Sequence, residues 1–450
     1  MKKAVTKVLA MMLVSTSLFG CGSAQQGMQN GNTKETTSNE TEEIELKMFH
    51  NWTIDSEVAY FKEAADAFHK EHPNVVIKIE NVGDPDYSTK LKVMMGTDDA
   101  PDIFFSFSGE SLNKYVRAGH VLDLESYYEE DSEWNESFVP ASKNPFENEE
   151  GIYAVPFRIT TKQMVYNKDL FDEYQVSVPT TWDEFLNVCE VFKEAGIIPQ
   201  AFGDLEAWAV CHYMTTFNTL CVPDDVRKAD SDSETCTYTD PGYVQALNML
   251  KQLQDNGYFT PNTNAIDFDV AREDFLIGNA AMAYLENIEY VDVENAGINA
   301  GIFSIPSPAG AAGNDKMVTG SVDGFAVSAN CKNPEIAVEF LKLLTSMEWQ
   351  EKAMGMSCTS VIKGAHNSDN SNELMLKDAK ICETAEGFTN WMDMDMPSEI
   401  SDVYLPGMQE IIAGTVTPEE LMKKVQVVAE NVRNDFLHLP AYDYKYLIHL

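Results

Sequence analysis

A chain of 450 residues is too long for one compact core, and at about 150 residues per domain two or three lobes are expected. Hydrophobic residues at 44% and aromatic residues at 10% exclude a chain that is disordered throughout. With 72 acidic against 32 basic residues the formal net charge is -40; a polyanion repels phosphate, which excludes a nucleic-acid partner and argues against attraction to an anionic lipid surface.

Lys2, Lys3 and Lys7 precede a run from Val8 to Phe19 that holds no acidic residue. The run falls short of the roughly 20 residues that span a bilayer as a helix. A basic start and a short apolar run form the layout of a secretory signal. The run ends in Leu18-Phe19-Gly20-Cys21, which resembles a bacterial lipobox. That resemblance implies a lipoprotein signal peptide over residues 1–20, cleavage before Cys21 and fatty acylation (palmitate) there; the alternative is a plain secreted protein. Two or more acyl chains anchor stably where one does not. Residues 21–43 are rich in Gln, Asn, Thr, Ser and Glu and predict a disordered tether. The expected location is therefore extracytoplasmic, lipid-anchored to the bacterial cell membrane.

Ile44 to Phe49 alternates as a strand does, and Val58, Phe61, Ala65 and Phe68 then form a helical stripe stopped by Pro73. Val75 to Val82 predicts a second strand, Lys90 to Met95 a helix, Asp102 to Phe105 a buried strand, and Asn113 to Ala118 a short helix. This β-α-β-α-β-α order predicts a largely parallel sheet with helices on both faces, an α/β fold. Thr181-Trp182-Asp183-Glu184 is a capping box for a helix bearing Phe185, Val188, Cys189 and Phe192. Helices are expected after Asp240-Pro241 and over Asp269 to Leu276. Strands follow over Ala281 to Leu285, Gly301 to Ile305 and Gly320 to Ser328. Asn333-Pro334 opens a further helix, and Thr417 to Glu420 is a second capping box.

Seven cysteines remain beyond Cys21, an odd number, with no CxxC pair and no His at ligand spacing, so zinc is unsupported. Cys221 and Cys236 flank a polar loop and could pair, whereas Cys189 lies on an apolar face. Asp230-Ser231-Asp232-Ser233-Glu234 starts like a calcium loop, but Thr235 stands where the turn glycine belongs and Pro241 where the final Glu belongs. No nucleophile elbow, H-E-x-x-H or phosphate loop is present, and no cofactor is expected.

Three ordered stretches carry a family resemblance. The first holds Tyr153-Ala154-Val155-Pro156, Met164 to Phe171 and Pro179 to Phe185. The second is Phe275 to Ala283. The third holds Ile305-Pro306-Ser307-Pro308, Gly320 to Ser328 and Asn333 to Leu341. Together they resemble the extracellular solute-binding proteins of carbohydrate ABC transporters, the maltodextrin-binding-protein-like family. The resemblance implies a two-lobed, type II periplasmic-binding-protein-like fold with a hinge of two or three crossing segments, near Tyr153–Pro156, Leu285–Asn287 and Ala326–Ala329. Lobe one would be 44–155 plus 288–327, and lobe two 156–287 plus 328–450. The implied activity is capture of an oligosaccharide by a monomer and delivery to an ABC permease, without bond chemistry. A binder of polyamine or peptide, or a secreted glycoside hydrolase with a carboxylate pair such as Asp393 and Asp395, is the alternative.

The chemistry of a sugar selects candidates: its C–H faces suit aromatic rings and its hydroxyls suit carboxylates and amides. Loops at the carboxyl ends of strands face the crevice in open α/β sheets, which nominates Trp52, Ser108 and Glu110. Arg158 follows the first crossing; Glu286 and Asn287 end the second. Ser321 and Asp323 lie in Gly320-Ser321-Val322-Asp323-Gly324, where glycine suits close backbone approach. Trp391 and Asp393 combine a ring and an acid in a late loop. Asp204 and Trp208 lie where the resemblance implies a stacking aromatic. Trp134 is expected at the surface, Trp182 as a structural residue, and Trp349 in the core.

Overall fold

The computed structural model describes residues 43–83, 86–97, 99–148, 151–354 and 359–438. The expected signal segment, Cys21, the tether up to Glu42, and Cys358 lie outside them. The N-terminal half-sheet forms as the alternation predicts. β1 (Ile44–His50) pairs in parallel with β2 (Val75–Asn81) and with β3 (Ile103–Phe107), and helices Asp55–Glu71, Asp86–Met95 and Glu110–Arg117 intervene. The third helix starts three residues earlier than expected, directly after Gly109.

The ribbon β4 (Glu147–Asn148) and β5 (Gly151–Ile152) leads into β6 (Val155–Asn167), the longest strand described. Its first half pairs antiparallel with β10 (Met317–Val327). Its second half pairs with β8 (Ala280–Glu286) and β9 (Ala300–Phe303). β7 (Ile198–Ala201) extends the sheet beyond β8, so the strands run β2-β1-β3-β10-β6-β8-β7; β11 (Thr359–Ser360) adds to β6 and β12 (Gly387–Thr389) to β10. A Cβ on Gly320 would come within 2.1 Å of the Thr160 carbonyl oxygen, the close approach expected of that glycine.

Two hydrophobic cores form on this sheet. One gathers β1 to β3, Val155, Phe157 and Ile159 of β6, and Phe325 to Val327 of β10. The other gathers Met164 and Val165 of β6, β8, β9 and the helices Trp182–Glu194, Trp208–Cys221, Pro241–Asp255 and Ser398–Ile412. Each core gathers segments from distant parts of the chain. Tyr290, Val293, Ile302 and Phe303 pack in the second core, because β9 pairs with the far end of β6. Ala337, Phe340 and Leu341 of helix Pro334–Leu344 pack in the first, because β10 delivers the chain back beside β3. Leu285–Asn287 is where β8 ends beside the second core, and β6 is a strand that contributes residues to both cores.

Both capping boxes close: Thr181 Oγ1 accepts from the Glu184 N–H, Glu184 accepts in return from the Thr181 N–H, and Thr417 and Glu420 do the same. Trp134 is buried rather than superficial; its ring stacks on Tyr128 at 4.5 Å and its N–H donates to Thr345, because the acids around it face outward and the ring fills the gap behind the helix. Trp182, Trp349 and Cys189 are core residues, as expected. Cys221 and Cys236 are both free thiols; each sits in the second core, with the Cys221 sulfur beside Met249.

Candidate functional site

β6 places two charged side chains four residues apart where the cores meet. Arg158 is paired in register with Asp323 on β10, just before a bulge between Asp323 and Gly324. Its Nε donates to Asp323 Oδ2 at 2.7 Å, and the Ser321 hydroxyl donates to the other carboxylate oxygen at 3.3 Å. The guanidinium carbon stands 5.0 Å from the centre of the Trp52 ring. Trp52 itself is buried against Phe61, Phe105 and Phe157. The loop after β1 therefore supplies a floor for Arg158, a cation–π arrangement.

Lys162 makes the second cluster. Its Nζ is 2.9 Å from His212 Nδ1, and Glu286 Oε1 lies 3.3 Å from that same nitrogen and 3.9 Å from Nζ. Burial pushes the Lys162 ammonium down and the Glu286 carboxyl up, and each partly offsets the other. Burial, then the Lys162 charge, pushes His212 well below its usual range, so the imidazole is neutral and Nδ1 accepts from Lys162. Phe268, Trp208 and Tyr284 ring the ammonium at 4.7, 5.3 and 5.7 Å. His212 lies one helical turn after Trp208 and stacks on Trp391, with centroids 4.0 Å apart and planes 21° apart.

Trp391 belongs to a segment pinned to helix Trp208–Cys221 by the Met392 N–H donating to Thr215. Burial raises Asp393, and burial raises Asp395 against the pull of Arg227. Across from this segment stands Ser108-Gly109-Glu110 at the end of β3. A Cβ on Gly109 would lie 2.7 Å from Asp395 Oδ1 and 3.0 Å from Asn390 Nδ2. Around this meeting of the cores, Ser108 Oγ, Asn390 Nδ2 and one Asp393 oxygen are buried with no hydrogen-bond partner among the described residues, as is His50 Nε2 at the end of β1. His50 Nδ1 accepts from the Trp52 N–H at 3.2 Å, and burial lowers the ring to about 4, so Nε2 carries a proton to donate.

The structure thus draws Trp52, Arg158, Ser321 and Asp323 into one group and Trp208, Glu286 and Trp391 into another, with Ser108 and Asp393 beside the contact between cores. Three candidates also make framework contacts, and Asp204 and Asn287 each keep one buried oxygen without a hydrogen-bond partner among the described residues. Glu110 is exposed and bonds Arg117 on its own helix. Asn287 donates to the Ile159 carbonyl and to Thr359, tying β8 to β6. Asp204 accepts from the Val210 N–H while its carbonyl accepts from Gln409, and burial raises its carboxyl to about 8. These two bind loop to framework. Lys162, His212, His50 and Asn390 escaped the sequence reading. An open surface groove of about 550 Å³ lined by Asp225, Asp230, Thr237 and Pro241 lies apart from these groups. Asp230 there is spent on the Thr237 and Tyr238 N–H groups and the Tyr243 hydroxyl.

Two cores sharing the strand β6, with rings and polar groups collected near it, define a two-lobed solute-binding fold. The chain belongs to the bacterial extracellular solute-binding protein family, whose model matches residues 51–351. The melibiose/raffinose/stachyose-binding protein MelE of Bacillus subtilis is 22% identical over 427 residues, covering 93% of this chain and 95% of that protein. An uncharacterized ABC transporter extracellular-binding protein of Pyrococcus horikoshii is 23% identical over 450 residues and covers 95% of each chain. A solved structure from work on xylan utilization by the thermophilic bacterium Caldanaerobius polysaccharolyticus matches with TM-score 0.70 at 25% identity, over 85% of this chain and 99% of that one. Among the described residues no helix is long and apolar enough to cross a membrane.

Proposed function

We propose that this protein is the substrate-binding subunit of an ABC importer and captures an oligosaccharide between its two lobes. The observation that carries this reading is the unpartnered buried polar atoms on Ser108, Asn390 and Asp393 near the Trp391–His212 stack, with a further one on His50 at the end of β1. Each such atom costs roughly 1–3 kcal/mol when unsatisfied. A polyhydroxylated ring offers donors and acceptors on its rim and C–H faces for the rings. Arg158 and Lys162 are already matched by Asp323 and Glu286, which disfavours a free acid as the guest. The sugar named for MelE supports the same class. A guest that touches both cores stabilises the closed arrangement by its differential affinity for it.

The mechanism needs no bond chemistry: the protein binds, closes, docks on permease subunits as a monomer and releases. Attachment to the membrane through lipid on Cys21 completes the proposal and rests on the basic start, the short apolar run and the Leu18-to-Cys21 sequence. Titration calorimetry with raffinose, maltotriose, xylotriose, spermidine and a tripeptide tests the ligand class. Binding of at least one saccharide is expected. Heat from spermidine or peptide alone overturns the sugar assignment, and new reducing ends released from a bound saccharide overturn the non-enzymatic one. Mass analysis of membrane-extracted protein, beside Cys21→Ala, tests the anchor.

A further inference from the structure

Resting on that reading, we infer that Gly109 sets how closely the two lobes can approach, and that Asp395 is the surface it closes on. Gly109 ends the loop after β3 in the first core; Asp395 ends the short helix Met392–Asp395, whose Met392 packs in the second. A Cβ at position 109 would stand 2.7 Å from Asp395 Oδ1, nearer than real Cβ contacts come, and 3.0 Å from Asn390 Nδ2. The Asp395 side chain is short and partly buried, so a Cβ at 109 is accommodated only if this carboxylate turns away from the loop after β3. Ser108 Oγ and Asn390 Nδ2, two of the unpartnered polar atoms, flank the contact. Closing to this distance is therefore what brings them to bear on one guest. Any larger residue at 109 acts as a wedge between the lobes.

The wedge can be separated from backbone strain. Gly109 has φ of 72°, which alone penalises a side chain; Gly119, at the other end of the same helix, has φ of 71° with no described atom within 4 Å of its would-be Cβ. Gly119→Ala carries the strain without the collision. Calorimetry with the best saccharide among raffinose, maltotriose and xylotriose should show affinity weakened at least tenfold by Gly109→Ala and less than threefold by Gly119→Ala. In an Asp395→Ala background, adding Gly109→Ala should cost less than threefold. Scattering at saturation should show Gly109→Ala more expanded than the wild type. Equal losses at 109 and 119, or a full loss that persists in the Asp395→Ala background, overturns the proposal. Should none of the three saccharides bind the wild type, the sugar reading fails while this contact stays testable. Gly109→Cys combined with Asp395→Cys, oxidised by copper-phenanthroline without ligand, should give a 109–395 disulfide on peptide mapping, and its absence overturns the contact.

Discussion

The two charged groups on β6 lie one short step apart and are built on different terms. Arg158 meets one carboxylate through a short hydrogen bond, lies over one ring, and has its partner's other oxygen held by Ser321. Lys162 donates to a neutral imidazole and forms an ion pair with a carboxylate 3.9 Å away, inside a cage of three rings. The planar guanidinium suits the first, fixed arrangement, and the compact ammonium suits the second, adjustable one. The first locks β6 to β10; the second ties β6, β8 and a helix to the face of Trp391. A sharp joint and a ring-positioning cluster thus share one strand.

Removing a partner from the fixed pair should have the largest effect. Asp323→Ala leaves Arg158 largely buried without its carboxylate, and urea unfolding should show a loss of about 3 kcal/mol or more. Truncating the ring served by the adjustable cluster comes next. Trp391→Ala should cost about 2–4 kcal/mol of saccharide affinity by calorimetry, the range for a buried interface aromatic, with little change in stability beyond the lost packing. Lys162→Met should cost about 1–3 kcal/mol of stability and change its pH dependence. Without the cation that pulls Glu286 down, the carboxyl binds its proton more tightly folded than unfolded, so stability falls as pH rises above the ordinary glutamate range. Melting temperatures from pH 4.5 to 8 for variant and wild type check this, and a variant curve no steeper than the wild type's refutes it.

A third arrangement sharpens the contrast: Asp378 is fully buried with no salt bridge among the described residues, held by the hydroxyls of Thr161 and Thr359. Burial raises it to about 6. A raised acid contributes its stability when protonated, and that contribution fades as pH climbs from about 4 to 6. Asp378→Asn should flatten the stability profile across this window by about 2 kcal/mol, read by urea unfolding at each pH.

The parallel half-sheet was legible because each strand there is short, alternating and bounded by turn residues, and both capping boxes fold as their residues require. β6 was legible only at its start. Thr160-Thr161-Lys162-Gln163 is a polar run with no apolar alternation, yet all four side chains are buried, because β10 and β8 pair with its backbone and Asp378, His212 and Ser304 meet Thr161, Lys162 and Gln163. The site divided in the same way. Arg158 and Asp323 stood out as polar residues beside glycines and a crossing strand. His212 did not, since a histidine in a nearly uniformly buried helix looks like core until Lys162, 50 positions earlier, is brought to it. Lobe bounds are the part least legible in the sequence, because only strand pairing, which no local pattern encodes, tells where β9 and the helix after β10 return.

Val155–Asn167 is an uninterrupted run of backbone that lends Phe157 and Ile159 to one hydrophobic interior and Met164 and Val165 to the other. Neither interior can melt without fraying the ladder that the other depends on. For all its length, the described body should therefore come apart as a single cooperative unit, with calorimetric and van't Hoff enthalpies in agreement.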